Sequence, residues 1–221
     1  AEELPLDDPT DDERNRRGLL SRTDSLVLTN GDSGAVVWDM DRFRFIEGEA
    51  PDTVNPSLWR QEELTNFHGL FELTDRISQV RGYDISNVTF IAGDTGWIVI
   101  DPLTTAETSG AALALVNSVV GERPVVAVIY THSHGDHFAG VHGVVRDEDV
   151  SSGRVPVLAP EGFLEEAVRE NVIAGPAMLR RAGYMYGGLL PADAQGLVGS
   201  GLGRTLPRSG HSGLIAPTDD I

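Results

Sequence analysis

The hydrophobic pattern of the chain consists of short apolar runs separated by turn-forming residues. Residues 88–92 and 97–100 are apolar and flank a Gly-Asp-Thr-Gly turn, which predicts two paired strands. Residues 25–29 and 35–38 flank a second run of turn-forming residues and predict another hairpin. Residues 124–130 are apolar after their proline, which predicts a strand covered on both faces of a sheet.

Helical signals alternate with these strands. Asn55 and Pro56 begin a helix whose apolar positions extend to Leu70. Thr104 or Thr105 can cap a helix that continues to Val119. The remaining predicted elements are a strand at residues 155–158 and a helix at residues 162–173 with Glu165, Glu166 and Arg169 on its outward face. Strands that alternate with helices predict an α/β fold.

Composition narrows the possible partners and sites. The 221 residues include 34 acidic and 17 basic side chains, a formal net charge of -17, and such a surface repels nucleic acid and anionic membranes. No apolar stretch approaches the ~20 residues that a membrane span needs, so we expect none. The chain contains no cysteine, so any metal ion must be held by His, Asp and Glu.

The chain divides into a short acidic segment and a longer folded part. Seven of the first thirteen residues are acidic and two are proline, a composition typical of a solvated segment. We therefore predict an acidic N-terminal arm at residues 1–24 and one globular domain at residues 25–221.

A cluster of metal-binding side chains follows the apolar strand at residues 124–130. His132 and His134 point the same way at the end of an extended strand, because side chains alternate with a period of two. Gly135 permits a turn, after which Asp136 and His137 can face the same pocket. Imidazole and carboxylate ligands suit zinc, while iron and manganese are alternatives. The pattern predicts a metal site here.

This HxHxDH motif resembles the signature of the metallo-β-lactamase superfamily. The resemblance implies an αββα sandwich, of which this chain would form the N-terminal portion. It assigns His132 and His134 to a first metal ion and Asp136 and His137 to a second. Asp136 would also act in catalysis by helping to hold the attacking water. Asp101 matches another recurrent aspartate and would brace the loop rather than bind metal.

Further segments resemble the alkylsulfatase branch of this superfamily, which includes linear and secondary alkylsulfatases. They are NPSLWR at residues 55–60, residues 67–83, DISN at 84–87, the histidine motif, residues 160–163, and residues 171–187. The resemblance implies hydrolysis of alkyl sulfates such as dodecyl sulfate to alcohol and inorganic sulfate. Two Zn²⁺ ions would make a bridging hydroxide available as the nucleophile.

The same resemblance implies that the catalytic domain at residues 25–221 is incomplete. The family places two glutamates and a further histidine of the metal site beyond the position of Ile221. A C-terminal part, in cis or as a second chain, would complete the site, and the family pattern implies a homodimer. A secreted or periplasmic location is a further expectation from the resemblance.

The segment at residues 171–187 contains the candidate substrate-binding residues. Arg180 and Arg181 are placed to meet a sulfate group, and Tyr184 and Tyr186 to line a groove for the alkyl tail. An ordinary amphipathic helix with solvated arginines is the alternative.

Two other functions compete with alkyl sulfate hydrolysis. One is a lactamase-, lactonase- or thioesterase-like enzyme that acts on an acyl bond. His211 as a further metal ligand would favour it, whereas a loop histidine is the alternative for that residue. A noncatalytic metal-binding fragment would contribute ligands only with a partner chain. His142 lies on a predicted helix and is expected to be a solvated or capping histidine.

Overall fold

The computed structural model describes residues 5, 6 and 8–221. The helices are α1 (Pro9–Arg16), α2 (Pro56–Thr65), α3 (Ala106–Val119), α4 (Asp147–Ser151), α5 (Phe163–Val168) and α6 (Gly175–Met185). The strands are β1 (Leu19–Ser21), β2 (Val27–Thr29), β3 (Val36–Asp39), β4 (Gly69–Thr74), β5 (Ile77–Arg81), β6 (Val88–Ala92), β7 (Trp97–Ile100), β8 (Val125–Ile129), β9 (Val157–Ala159) and β10 (Asp219–Asp220). Single 3-10 turns occur at Asp41–Phe43, Gly135–His137 and Val141–Gly143, and a π-helical turn at Arg169–Ile173.

A mixed eight-stranded sheet organises the chain. Its strand order is β1-β4-β5-β6-β7-β8-β9-β10, antiparallel from β1 to β7 and parallel from β7 to β10. Helix α3 packs Ala112 and Val116 against this sheet, where Phe90 and Trp97 meet edge to face with centroids 6.0 Å apart. The predicted α/β class is confirmed.

Several predicted elements occur where their sequence signals place them. Strands β2 and β3 form an antiparallel hairpin, as do β6 and β7. The Asn55 side chain caps α2 by accepting a hydrogen bond from the Ser57 amide. Thr105, one of the two predicted caps, begins α3 in a capping box with Thr108. Local side-chain chemistry therefore sets these boundaries.

The predicted helix after Asn55 ends earlier than its apolar spacing indicates. It stops at Thr65, and Leu70 lies in β4, which pairs with β5 in a hairpin. Gly69 at the start of β4 has φ +146°, a conformation that breaks a helix and that side chains other than glycine rarely adopt. The helical prediction for Leu70 was therefore wrong.

Strand β8 is less covered than its apolar sequence predicts. Only Val128 of this strand is fully buried, while its neighbours Ala127 and Ile129 are partly exposed. Helix α3 covers one face of the sheet in the described part of the chain, and the expectation of burial on both faces was wrong there. Part of the apolar surface of β8 is therefore exposed in the described part of the chain.

The predicted acidic arm at residues 1–24 contains regular structure. Helix α1 begins after Asp8, whose side chain accepts a hydrogen bond from the Thr10 amide, and β1 pairs with β4 at the sheet edge. Residues 1–4 and 7 of the arm lie outside the described residues. The boundary at residue 24 stays a prediction.

Membrane insertion was assessed over the same residues. Within residues 5, 6 and 8–221, no helix has both the length and the apolar character needed to cross a bilayer.

Candidate metal centre

The ends of two parallel strands position the site. Ile100 of β7 pairs with Ile129 of β8, so Asp101 and Thr131 emerge side by side at the same sheet edge. Asp101 accepts hydrogen bonds from the Thr131 amide at 2.8 Å and the Thr131 hydroxyl at 2.7 Å. Asp101 has φ +56°, a strained backbone conformation that aspartate tolerates better than most residues. These contacts fix the start of the histidine loop.

Three histidine rings converge immediately after this anchor. The ring centroid of His132 lies 4.6 Å from that of His134 and 4.1 Å from that of His137. The 3-10 turn Gly135–His137 reverses the chain and returns His137 to the first two rings. Ser86 donates a hydrogen bond to the carbonyl of Asp136, which ties this turn to the loop before β6. The structure therefore brings the predicted ligands together.

Two carboxylates hold the ring of His137. Its Nδ1 lies 2.9 Å from Asp101 Oδ2, and its Nε2 lies 3.2 Å from Asp136 Oδ2. Burial lowers the pKa of His137, but its hydrogen bonds to Asp101 and Asp136, with the charges of both, outweigh burial and raise the pKa to about 9. Burial raises the pKa of Asp136, and the contact with His137 reverses this and lowers it. A metal ion that binds Nε2 must displace the proton there.

Each of the other two rings has one nitrogen engaged. His132 Nδ1 lies 3.0 Å from the Thr131 hydroxyl, and His134 Nε2 lies 3.1 Å from Glu170 Oε1. Burial and the charges of the two neighbouring histidines lower the pKa of His132, which favours its neutral form. The nitrogens left available for a ligand are therefore Nε2 of His132 and Nδ1 of His134.

These residues fit a metal ion in donor chemistry and proximity. Three imidazoles and one carboxylate meet at a sheet edge, and carboxylates contact the remaining nitrogens of two imidazoles, as is common around metal-bound histidines. Over residues 5, 6 and 8–221, however, no group of three or more His, Asp or Glu side chains has its donor atoms arranged to hold an ion. The site as described therefore has suitable ligands without a closed coordination shell.

The two histidines considered outside the motif have other partners. His142 lies in the 3-10 turn Val141–Gly143 rather than an α-helix, with its Nε2 3.3 Å from Asp147 Oδ1. His211 Nδ1 lies 2.9 Å from Glu107 Oε1 and 3.2 Å from Asn30 Nδ2. His211 thus packs at the start of α3, where Glu107 is part of the first helical turn.

The four predicted substrate-binding residues lie on or next to α6 and differ in their surroundings. Arg180 and Arg181 are exposed, and the Tyr184 side chain is 80% exposed. Tyr186 contributes to a cavity of about 240 Å³ that Arg180 and Arg181 do not line. Tyr186 therefore contributes to a concave surface next to α6.

Glu170 is a site residue that the sequence did not indicate. It lies in the π-helical turn after α5, where the pattern predicts a continuous helix with a polar outer face.

Comparison with known proteins identifies the family. A family model of the metallo-β-lactamase superfamily matches residues 81–211, more than half of the chain. The chain belongs to the metallo-β-lactamase superfamily.

Within this superfamily the chain is similar to alkylsulfatases. It is 53% identical to a linear primary-alkylsulfatase from a Pseudomonas species over 99% of this chain and 32% of that protein. It is 48% identical to the alkyl/aryl-sulfatase BDS1 of Saccharomyces cerevisiae over 99% of this chain and 34% of that protein. The resemblance to the alkylsulfatase branch is thereby confirmed, and the chain spans about a third of the length of these relatives.

A solved structure extends the similarity to the fold. The stereoselective inverting sec-alkylsulfatase Pisa1 from a Pseudomonas species superimposes with a TM-score of 0.92 at 46% identity. The match covers 99% of this chain and 34% of that one. The arrangement of strands around the histidine loop is therefore shared with an alkylsulfatase.

Proposed function

We propose that this metallo-β-lactamase-family chain contributes the histidine loop of an alkylsulfatase, which hydrolyses alkyl sulfate esters to alcohol and inorganic sulfate. The observation that carries the proposal is the convergence of His132, His134 and His137 next to Asp136, with Asp101 bracing the loop. The alkylsulfatases that match nearly the whole chain support the substrate class.

The proposed cofactor is a pair of Zn²⁺ ions. His132 and His134 would hold one, and Asp136 and His137 the other, with further ligands from outside this chain segment. Bound zinc supplies an acidified water and positive charge for the sulfate group. Asp101 keeps the His137 ring oriented through Nδ1, so Nε2, which lies 3.2 Å from Asp136 Oδ2, would bind the metal ion next to Asp136. Asp136 helps to orient the attacking water.

A cavity near α6 suits the alkyl part of such a substrate. Its lining includes Leu179, Leu189 and Leu206, residues that are between 40% and 76% exposed. Ile85 also lines the cavity and directly precedes Ser86, whose hydroxyl contacts the Asp136 carbonyl. The apolar surface thus adjoins the histidine loop through two consecutive residues. Burial of each methylene of an alkyl tail there would contribute about 0.8 kcal/mol.

The structure gives less support to the competing acyl-bond hydrolase. His211 as a metal ligand would favour that alternative, but the Nδ1 of His211 contacts Glu107 and Asn30. Completion by a C-terminal part in cis or by a second chain, a homodimer, and secretion or export to the periplasm belong to the alkylsulfatase proposal and stay predictions.

The decisive experiment is release of inorganic sulfate from dodecyl sulfate by the full-length gene product, with and without a chelator. We expect chelator-sensitive release that is lost in His134→Ala and retained in His142→Ala, the matched control, since His142 lies on the same segment but contacts Asp147. A folded, zinc-loaded protein that releases no sulfate would contradict the proposal.

A further inference from the structure

A single π-helical turn, Arg169–Ile173, lies between α5 and α6 beside the histidine loop. Turns of this kind are rare and occur frequently at functional sites, because the extra residue per turn redirects the side chains that follow. Here the turn begins one residue before Glu170. The Glu170 side chain is 23% exposed, whereas those of Glu165 and Glu166 on the preceding helix are 73% and 54% exposed.

Both carboxylate oxygens of Glu170 contact the histidine loop. Oε1 lies 3.1 Å from His134 Nε2, and Oε2 accepts a hydrogen bond of 3.1 Å from the Ser133 hydroxyl. Asn171 adds a third contact by donating to the Ser133 carbonyl at 3.0 Å. Two consecutive residues of the π-helical turn therefore hold two consecutive residues of the loop.

The His134 ring needs such a contact to keep one orientation. Its side chain is 58% exposed, in contrast to 22% for His137, which Asp101 and Asp136 hold on two sides. A neutral imidazole has one N–H group, and a carboxylate next to Nε2 places the proton there. Nδ1 then keeps its lone pair and is available to a metal ion.

We propose that Glu170 is a positioning residue that holds His134 in the Nε2–H tautomer, so that Nδ1 serves as the metal-binding nitrogen. The proposal rests on metal binding by the histidine loop, which is part of the proposed function. Glu170 plays for His134 the role that Asp101 plays for His137, with the two ring nitrogens exchanged.

The test compares Glu170→Ala and Glu170→Gln with the control Glu166→Gln in the full-length gene product. Glu166 lies four residues before Glu170, in α5, and pairs with Arg169 at the surface. Nitrogen chemical shifts of ¹⁵N-labelled His134 in the metal-free protein, recorded over a series of pH values, report the tautomer of its neutral form. Competition with a chelator reports the Zn²⁺ affinity.

We expect Glu170→Ala to convert His134 to a mixture of tautomers and to weaken Zn²⁺ binding by about 10- to 100-fold. Glu170→Gln should retain the Nε2–H tautomer and lose less affinity, because its amide oxygen can still accept the hydrogen bond. Glu166→Gln should match the unmodified protein in both measurements. Recovery by the conservative variant separates positioning from a general loss of folding.

Two other results would overturn the assignment. If Glu170→Ala leaves both the tautomer and the affinity unchanged, Glu170 does not position His134. If the visible spectrum of bound Co²⁺ shows a lower coordination number in Glu170→Gln, Glu170 is itself a ligand.

A further outcome separates this proposal from the proposed function. If the unmodified protein binds no Zn²⁺ while Glu170→Ala still changes the tautomer, the proposed function fails and the contact between Glu170 and His134 stands.

Discussion

Arg204 and Glu62 lie 142 residues apart in the chain and form a buried ion pair, with 2.8 Å between Arg204 Nη1 and Glu62 Oε2. Their side chains are 1% and 0% exposed. Burial lowers the pKa of Arg204 to about 10 and raises that of Glu62, in each case against the opposing charge of the partner. The pair therefore costs desolvation energy while it attaches the segment around residue 204 to α2.

Loss of one partner of this pair should destabilise the protein strongly. We expect Arg204→Met to reduce the free energy of unfolding by about 3–5 kcal/mol, because Glu62 would stay buried without a countercharge. Urea denaturation measures this change. The control is Arg76→Gln, whose partner Asp94 is 93% exposed, with an expected change below about 0.5 kcal/mol. Equal effects of the two substitutions would contradict this account.

A second buried carboxyl group should make stability depend on pH. Asp84 accepts hydrogen bonds from the hydroxyls of Thr104 and Thr108 at 2.7 Å each, and burial outweighs these contacts and raises its pKa from 3.8 to about 6. Since the pKa is higher in the folded state, the stabilising contribution is complete below about pH 3.8 and is lost as the pH rises through about 6.

We therefore expect the stability advantage of the unmodified protein over Asp84→Asn to shrink by roughly 2–3 kcal/mol between about pH 4 and about pH 7. Urea denaturation at several pH values gives the difference. Asp75→Asn, the same substitution at an exposed turn position, is the control for the effect of the amide itself. A difference for Asp84→Asn that grows with pH would show that the sign is wrong.

Replacement of Asp101 tests the brace on His137. In Asp101→Asn the side chain can still accept from the Thr131 amide, and asparagine also tolerates φ +56°. Its amide group, however, provides one oxygen where Asp101 provides two, so the contact with His137 Nδ1 or that with Thr131 is lost. We expect Zn²⁺ affinity in the full-length gene product to fall by about 10- to 100-fold with little change in melting temperature. Unchanged affinity by chelator competition would remove Asp101 from the site.

Close packing behind the histidine loop should make Gly140 irreplaceable by alanine. A methyl group there would overlap the carbonyl oxygens of Pro102 and Thr105. We expect Gly140→Ala to cost about 1–3 kcal/mol or more in unfolding free energy, measured by denaturation. Gly31→Ala is the control, because nothing lies within 4 Å of the added methyl group. A neutral Gly140→Ala would mean that the loop moves freely.

The sequence predicts most of the strands near the site because their signals are local. The β6–β7 hairpin and the cap of α3 at Thr105 depend on residues within a few positions of one another. The β4–β5 hairpin was missed because Leu70 continues the apolar spacing of α2, and only pairing with β5 decides its conformation.

In the candidate site, too, the sequence predicts the residues of one local motif but not those that reach it from elsewhere in the chain. The ligands His132, His134, Asp136 and His137 form one motif, whereas Glu170 reaches them through a π-helical turn that helical periodicity does not reveal. Their roles as ligands stay predictions, and so does the role of Asp101. The buried position of Glu62 was equally hidden, because its partner is distant in sequence.

The long-range contacts of the histidine loop also determine when it can form during synthesis. Thr131, Asp136 and Ser133 are held by partners 30, 50 and 37 residues away, and Glu170 is the last of these to be translated. Closing such loops carries an entropic cost before any contact compensates for it. A growing chain that ends before Glu170 therefore lacks the contact that orients His134, although Asp101 and Asp136, the partners of His137, are already synthesised. His134 should be oriented for metal capture only after Glu170 has been translated.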